Sequence, residues 1–405
     1  MKVAILLGRG IEGCGVTRFA LEQEKWFKKQ KSIICEIFAS DDKKWGRRNA
    51  QQHTIKTFEN DRVKGLAKIL DEEYDIVYYH SLAGRSNSEE YQNLWFEYLV
   101  KGVTKPLKIA FQHDHKLGSL VRNHKVWETM MYMDACFTHS LGSPFCKKLK
   151  EKGIKTPVDT FSVGFDFDSL AHVIRPVNRQ LKRVSYFGRF AGFKDPERIV
   201  DMQPLLQQSG FFSELRGIER SIGSLPLFYN DTKDRENTYK TNIYEVNKKN
   251  PDPFLKSLTK TYIYGPYNRV EGLAELSASM FGADFFNLDS DSHSNNMEYS
   301  MAEIIAVGCI PLFDVNWAKN TRHINGELFN DLKSFAIFSD RDNFTKTIAE
   351  MEVLANDLEY RDKFRRNSFE LAKEHCDSSK AFKDILNISL LVKKKTNYED
   401  QLEIF

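Results

Sequence analysis

Short apolar runs alternate with amphipathic stretches through the first half of the chain. Five of these runs predict strands, at residues 3–7, 33–38, 76–79, 107–111 and 135–138. Apolar positions at helical spacing lie between them and predict helices, for example over residues 17–29 and 61–70. Repetition of strand, helix and strand is typical of a parallel sheet that is covered by helices on both faces.

A second series of apolar runs follows, at residues 183–187, 262–264, 283–286 and 310–313. The stretch 176–181 predicts a linker, which separates an N-terminal domain over 1–178 from a C-terminal domain over 179–380. Residues 381–405 predict a C-terminal helical segment, and the polar tract 216–260 an elaboration on the second domain. A length of 405 residues also favours two domains. Because ligands of open α/β sheets bind outside the carboxyl ends of the strands, we expect the active site in the cleft between the domains.

The composition is typical of a soluble globular protein, with 41% hydrophobic and 28% charged residues. The net charge is only +3, so any polyanionic partner must be bound by local basic patches. The six cysteines form no C-x-x-C pair, which favours free thiols in a reducing compartment. Because the sequence shows no signal peptide and no run of about 18 apolar residues, we expect a cytoplasmic protein.

A glycine-rich turn follows the first predicted strand. The segment GRGIEG at residues 8–13 fits the G-x-G-x-x-G pattern of dinucleotide-binding proteins. A strand, such a turn and a helix N-terminus present backbone N–H groups to an anion, but they do not select among anions. Glu36 and Asp41 are not well placed to hold the ribose of NAD. A dinucleotide site, another oxyanion site and a structural turn therefore all remain open for this segment.

Two segments of the second series carry charged candidates. Arg189 and Lys194 stand just beyond a strand end, where an arginine fork and a lysine charge can hold a diphosphate; a solvated basic turn is the alternative. Glu298 and Glu303 are about 140° apart around a helix, so they cannot share one target unless the helix begins between them. The two carboxylates therefore either bind two different hydroxyl-bearing targets or are merely exposed, and both alternatives stay open.

The segment His113-Asp114-His115 follows directly after a predicted buried strand. A metal pair at His113 and His115 lacks a third ligand within reach in the sequence. A carboxylate beside an imidazole is better suited to acid–base or charge-stabilising work.

Taken in order, these motifs resemble the DNA α-glucosyltransferase family of T-even bacteriophages, which are retaining enzymes of the GT-B class. The resemblance spans roughly residues 8–313, and its segments are RGIEGCGVT with FALEQ, QHDH with SLVRN, GRF with Lys194, GIERS, and EYSMAE followed by GCIP. It implies an α/β fold of the GT-B type, with two Rossmann-like, doubly wound domains facing across a cleft. The N-terminal domain would bind acceptor DNA and the C-terminal domain the nucleotide sugar.

The resemblance implies transfer of a sugar from a UDP-sugar to 5-hydroxymethylcytosine in double-stranded phage DNA, with the base flipped out of the duplex. It implies no tightly bound cofactor, no metal ligands although a divalent ion is compatible, no membrane partner, and action in the cytoplasm of the infected bacterial host. The sequence departs from the family at 226–260, in NLDSDSHSNN and in the C-terminal tail. These departures leave glucose and a pentose such as arabinose open.

Individual roles follow from the same resemblance. His113 and Asp114 are implied to be catalytic and to face the sugar. The implied donor-binding residues are Gly13, Gly15, Arg189, Lys194, Glu219, Arg220, Gly282, Glu298 and Glu303. Basic residues around an aromatic side chain that suits a wedge or a stacking role are expected to contact DNA. They are Lys43, Lys44, Trp45, Arg47 and Arg48, together with Arg122.

Three other functions stay open from the sequence. A GT-B glycosyltransferase for a glycan or small-molecule acceptor would turn over without DNA. An NAD-dependent oxidoreductase would leave Arg189, Lys194 and Glu303 without a role. A non-catalytic DNA-binding protein would tolerate the loss of Asp114.

Overall fold

The computed structural model describes residues 1–8, 15–40, 55–58, 62–80, 89–113, 125–188, 194–217, 261–264, 269–286, 297–320 and 334–402. These residues form two compact units. The first comprises the described residues between 1 and 165 and between 376 and 402, and the second those between 166 and 375. The domain boundaries expected after residues 178 and 380 were placed from sequence patterns and stay predictions.

The first unit contains a parallel sheet with seven described strands. They are β1 (Lys2–Leu7), β2 (Ile34–Ser40), β3 (Ile55–Phe58), β4 (Ile76–His80), β5 (Leu107–Gln112), β6 (Ala135–Thr138) and β7 (Val158–Thr160). The helices among them are α1 (Gly15–Lys28), α2 (Val63–Glu73), α3 (Glu89–Leu94), α4 (Val126–Met130) and α5 (Pro144–Glu151), with a π-helix at Trp95–Lys101. Strands β4 and β5 are buried along their whole length, as expected for parallel strands covered on both faces.

The second unit contains a parallel sheet with six described strands. They are β8 (Leu181–Gly188), β9 (Phe212–Gly217), β10 (Thr261–Tyr264), β11 (Ser279–Asp284), β12 (Ile310–Asp314) and β13 (Ile337–Ser339). Its helices are α6 (Glu197–Gln208), α7 (Arg269–Ser277), α8 (Tyr299–Ala306), α9 (Val315–Asn320), α10 (Phe344–Asn356) and α11 (Leu358–Cys376). Two 3-10 helices, Phe167–Val173 and Val177–Arg179, precede β8. The last helix of the chain is α12 (Ser378–Leu402).

Both sheets have the strand order of a Rossmann fold. The first runs β3-β2-β1-β4-β5-β6-β7 and the second β10-β9-β8-β11-β12-β13. The order reverses between β1 and β4 and again between β8 and β11, and open α/β sheets bind ligands at the carboxyl ends of the strands beside such a reversal. The expected α/β class with two Rossmann-like sheets is confirmed, and the sheet order indicates where each unit places its site.

Helix α12 completes the core of the first unit. The Phe382 ring lies 5.2 Å from the ring of Phe19 on α1, and the hydroxyls of Tyr78 and Ser389 are 3.2 Å apart. A Cβ added at Gly164 would come within 2.5 Å of the Phe382 ring, so this position requires glycine for packing. None of the described helices combines the length and the apolar character that crossing a membrane requires.

Gly282 lies inside β11, and its missing side chain makes room for helix α8. A Cβ there would meet Cγ2 of Ile304 at 2.7 Å and Cβ of Cys309 at 3.3 Å. Packing therefore explains this glycine without a ligand, and its donor-binding role stays a prediction.

The Gly282→Ala variant should unfold more readily than the wild type, by about 1–3 kcal/mol, because the sheet and α8 must separate to admit the methyl group. Gly65→Ala is the matched control, since Gly65 is exposed on α2 with nothing within 4 Å of an added Cβ. Alanine there should stabilise the helix by up to about 1 kcal/mol. Urea denaturation measures both, and equal free energies of unfolding for the two variants would contradict this packing.

Candidate functional site

Aromatic side chains gather at the carboxyl edge of the first sheet. His80 is the last residue of β4, and His113, His139 and Phe161 directly follow β5, β6 and β7, which are neighbouring strands. The ring centroids of His113 and Phe161 are 5.2 Å apart, and those of His113 and His139 are 6.0 Å apart. The structure therefore places the predicted catalytic residue His113 within a cluster whose other members the sequence did not single out.

His80 is fully buried and stacks on Phe111, with ring centroids 4.5 Å apart. Burial lowers the pKa of His80 to about 3, so its imidazole is neutral near pH 7. Its Nε2 lies 3.0 Å from Oε1 of Gln23, and its Nδ1 lies 2.9 Å from Nε2 of His113. Because a carbonyl oxygen only accepts, Nε2 of His80 donates to Gln23 and Nδ1 accepts the N–H of His113.

His113 is therefore held in one orientation, with a proton on its Nε2 atom. The edge of the Phe19 ring also lies against the imidazole, at 5.3 Å between centroids. Helix α1 supplies both Phe19 and Gln23, so its buried face contacts this cluster. Gly15, a predicted donor-binding residue, is the first residue of α1, and an added Cβ there would meet nothing within 4 Å. Its role toward the donor stays a prediction.

At the carboxyl edge of the second sheet, Lys194 is buried with only 6% of its surface exposed. Its Nζ lies 2.9 Å from Oδ2 of Asp284 and 2.8 Å from Oγ of Ser300. Oε2 of Glu298 is 3.8 Å away, so the structure brings together two of the predicted donor-binding residues. Because an ammonium carries three N–H bonds, one remains beyond those given to Asp284 and Ser300.

Asp284 fixes the position of this ammonium. It is the last residue of β11, which neighbours β8 at the point where the strand order reverses. Its Oδ2 also accepts the hydroxyl of Ser300, and its Oδ1 accepts the backbone N–H of Phe286 at 2.9 Å. Neither Asp284 nor Ser300 was predicted from the sequence, although an acid at the end of a buried strand is a detectable signal.

The two predicted carboxylates, Glu298 and Glu303, lie on either side of a helix start. Glu298 is the N-cap residue of α8, with extended backbone, and Glu303 lies within the helix. The helix therefore does begin between them, and the separation of about 140° around a helix does not apply to the pair. Glu303 is half-buried, and its contact with the donor stays a prediction.

Several predicted site residues lie outside the described residues, and their roles stay predictions. They are Gly13, Lys43, Lys44, Trp45, Arg47, Arg48, Asp114, Arg122, Arg189, Glu219 and Arg220. Within the described part of the chain, no group of three or more His, Cys, Asp or Glu residues is arranged to hold a metal ion.

The burial of His80 predicts a pH-dependent stability. The unfolded chain binds a proton at this residue below about pH 6.5, whereas the folded protein keeps it neutral down to a pKa of about 3. Between these values the unfolded state binds more protons, so the wild type loses about 1.4 kcal/mol of stability per pH unit of acidification at this residue. Asparagine does not titrate, so the stability of the wild type relative to His80→Asn should be constant above pH 7 and should fall from about pH 6 to 5.

Urea denaturation across this pH range measures the difference. Parallel pH curves for the wild type and His80→Asn would contradict the buried, neutral imidazole.

Comparison with known proteins finds a matching family model and a related phage enzyme. A family model described as DNA alpha-glucosyltransferase matches residues 14–359. The DNA alpha-glucosyltransferase of Enterobacteria phage T4 is 26% identical over 415 residues, which cover 96% of this chain and 99% of that protein.

Two solved structures show the same fold. An alpha-glucosyltransferase in complex with UDP and a 13-mer DNA containing a HMU base has a TM-score of 0.81 at 24% identity, and an alpha-glucosyltransferase in complex with UDP-glucose and DNA containing an abasic site has 0.80 at 25%. Each match covers 96% of this chain and 99% of the other. The GT-B class and the resemblance found in the sequence are confirmed. Since the family model matches most of its length, the chain belongs to the DNA alpha-glucosyltransferase family.

Proposed function

We propose that this protein is a retaining glycosyltransferase that moves a sugar from a UDP-sugar to 5-hydroxymethylcytosine in double-stranded DNA. The observation that carries the proposal is the buried ammonium of Lys194 beside the strand-order reversal of the second Rossmann sheet, in a member of this family. Rossmann sheets bind the phosphates of nucleotides at that position. The family relatives solved with UDP and UDP-glucose support a UDP-sugar as co-substrate.

In this proposal Lys194 binds the diphosphate of the donor. Two of its N–H groups are given to Asp284 and Ser300, and the third donates to a phosphate oxygen. Negative charge grows on that phosphate as the bond to the sugar breaks. An N–H group that is already fixed in position therefore stabilises the transition state more than the ground state. Arg189 would add a bidentate contact to the same diphosphate, and Glu303 would accept from the ribose hydroxyls.

The transfer breaks the bond between the anomeric carbon and the phosphate oxygen, and UDP leaves with the electron pair. The hydroxymethyl oxygen forms the new bond to the anomeric carbon and passes its proton to the departing phosphate oxygen of UDP. Asp114 would stabilise the positive charge on the anomeric carbon or orient the acceptor hydroxyl. His113, held through its Nε2 by His80, would bond a sugar hydroxyl or a phosphate oxygen.

The acceptor base has to leave the duplex to reach such a site, which costs a few kcal/mol that phosphate contacts offset. Lys43, Lys44, Arg47, Arg48 and Arg122 would supply these contacts, with Trp45 as the stacking or wedge residue. The family relatives solved with DNA support DNA as the acceptor. As a relative of a T4 phage enzyme, the protein would act in the cytoplasm of an infected bacterium.

The experiment that tests the function offers the protein hydroxymethylated DNA, unmodified DNA and a DNA-free glycan acceptor with a panel of UDP-sugars. We expect a mass increase of one sugar on hydroxymethylcytosine alone, read by mass spectrometry of the nucleosides. UDP-glucose and UDP-arabinose in the panel separate the two sugars left open by the sequence. Transfer to the glycan alone, or to no acceptor, would contradict the proposal.

Lys194→Gln should lower kcat by about 100-fold, because the amide keeps a hydrogen bond to Asp284 but offers the departing diphosphate no charge. Steady-state kinetics with the preferred UDP-sugar measure this loss. Lys346→Gln is the matched control, since it removes an exposed lysine from α10 of the same unit. Equal kcat for the two variants would remove Lys194 from the donor site.

A further inference from the structure

Asp195, the residue next to Lys194, has an unusual backbone conformation. Its φ is +42°, and within the described residues it is the one non-glycine residue with positive φ. Side chains with a Cβ rarely adopt this left-handed region. The next residue is Pro196, which disfavours helical backbone at the position before it. Two local preferences therefore oppose the conformation of Asp195, and tertiary contacts must hold it.

Two arginines bind the carboxylate of Asp195. Its Oδ2 lies 2.8 Å from Nε of Arg198 and 2.9 Å from Nε of Arg341, and Nη2 of Arg341 donates to Oδ1. The contact with Arg341 is therefore bidentate, the geometry in which an arginine–carboxylate pair is strongest.

Arg198 is itself fixed at the carboxyl edge of the second sheet. It is buried, pairs with Asp314 at the end of β12, and donates to the carbonyl of Ser339 at the end of β13 over 2.9 Å. Through Arg198, Asp195 is thus attached to the ends of two strands.

Lys194 and Asp195 are consecutive residues with partners on different strands. Lys194 binds Asp284 at the end of β11, whereas Asp195 is attached through Arg198 to β12 and β13. The left-handed backbone at Asp195 lets the chain satisfy both sets of partners.

We propose that Asp195 is a positioning residue for Lys194: the pair of arginines, Arg198 and Arg341, holds the left-handed backbone that directs the ammonium to the donor diphosphate. This inference rests on the proposed function, since it assumes that Lys194 binds the diphosphate. In this proposal the backbone conformation of Asp195 orients Lys194, and the carboxylate of Asp195 stabilises that conformation. Glycine adopts positive φ without strain, so it can supply the conformation without the carboxylate.

The test compares Asp195→Ala with Asp195→Gly. Alanine loses the arginine contacts and disfavours positive φ, so the dissociation constant of UDP should rise at least tenfold and kcat should fall. The Asp195→Gly variant should bind UDP with a dissociation constant within threefold of the wild-type value. If the carboxylate itself were needed, this variant would lose UDP binding as Asp195→Ala does. Calorimetry with UDP and steady-state kinetics measure both effects, and the KM for hydroxymethylated DNA should not change in either variant.

A second comparison uses Arg341, whose side chain is 49% exposed. Arg341→Gln should raise the dissociation constant of UDP about threefold in the wild type and not at all in Asp195→Gly, where no strained backbone needs support. Arg366→Gln is the matched control, because Arg366 is an exposed arginine paired with Asp362 in the same unit. It should leave UDP binding unchanged in both backgrounds.

Three results would overturn the inference. The first is equal UDP binding by Asp195→Ala and the wild type, and the second is equal loss in Asp195→Ala and Asp195→Gly. The third is an equal effect of Arg341→Gln in both backgrounds, which decides the matter even if Asp195→Ala does not fold. A wild type that binds no UDP would instead contradict the proposed function, and the inference with it.

Discussion

A lysine ammonium taken out of water needs fixed acceptors, and this constraint organises the carboxyl edge of the second sheet. Lys194 finds its carboxylate on Asp284, and Asp284 is in turn held by Ser300 and the backbone N–H of Phe286. Loss of one partner of a buried ion pair costs about 3–5 kcal/mol, because the other charge stays behind unpaired. Burial of this lysine therefore depends on two features of the fold. Strand β11 lies beside β8 and supplies Asp284, and α8 begins at Tyr299 and supplies Ser300.

Each sheet has a buried basic side chain at its carboxyl edge, and the two side chains have different surroundings. Lys194 has a carboxylate beside it, which offsets the desolvation of its ammonium. His80 has no carboxylate among its described partners, and burial instead lowers its pKa until the imidazole is neutral. The first edge thus offers a neutral, oriented imidazole and the second a fixed N–H donor.

The central strands of the first sheet could be predicted from the sequence, because they are continuous apolar runs, whereas the prediction 283–286 overlaps β11 only at residues 283 and 284. Residues 135–138 match β6, whereas the predictions 76–79 and 107–111 each stop one residue early. The missing residues are His80 and Gln112, which are polar, so a hydrophobic pattern ends just before the position where the site begins. Strands β3, β7, β9 and β13 were not predicted, since β7 and β13 are only three residues long, β3 contains the polar residues Lys56 and Thr57, and β9 contains a buried glutamate.

The candidate site was predicted only in part, for a related reason. Lys194, Glu298 and His113 stand beside recognisable motifs. The structure places His113 directly after β5, Glu298 at the start of α8, and Lys194 between β8 and α6. Their partners Asp284 and His80 are distant in sequence, so only the strand order brings them close. Asp195 gave no signal at all, because a positive φ at a residue before proline goes against the local preferences that sequence patterns report.

The return of α12 to the first unit bears on the order in which the protein can fold during synthesis. The first sheet is complete by Thr160, yet Tyr78 meets Ser389 from 311 residues further along the chain, and Phe382 fills the space beside Gly164. Until those residues leave the ribosome, the aromatic face around Phe19 and Tyr78 stays uncovered. Such surfaces favour aggregation in partly synthesised chains. The core of the first unit can therefore be completed only after the second unit has been synthesised, because the residues between 166 and 375 precede α12 in the chain.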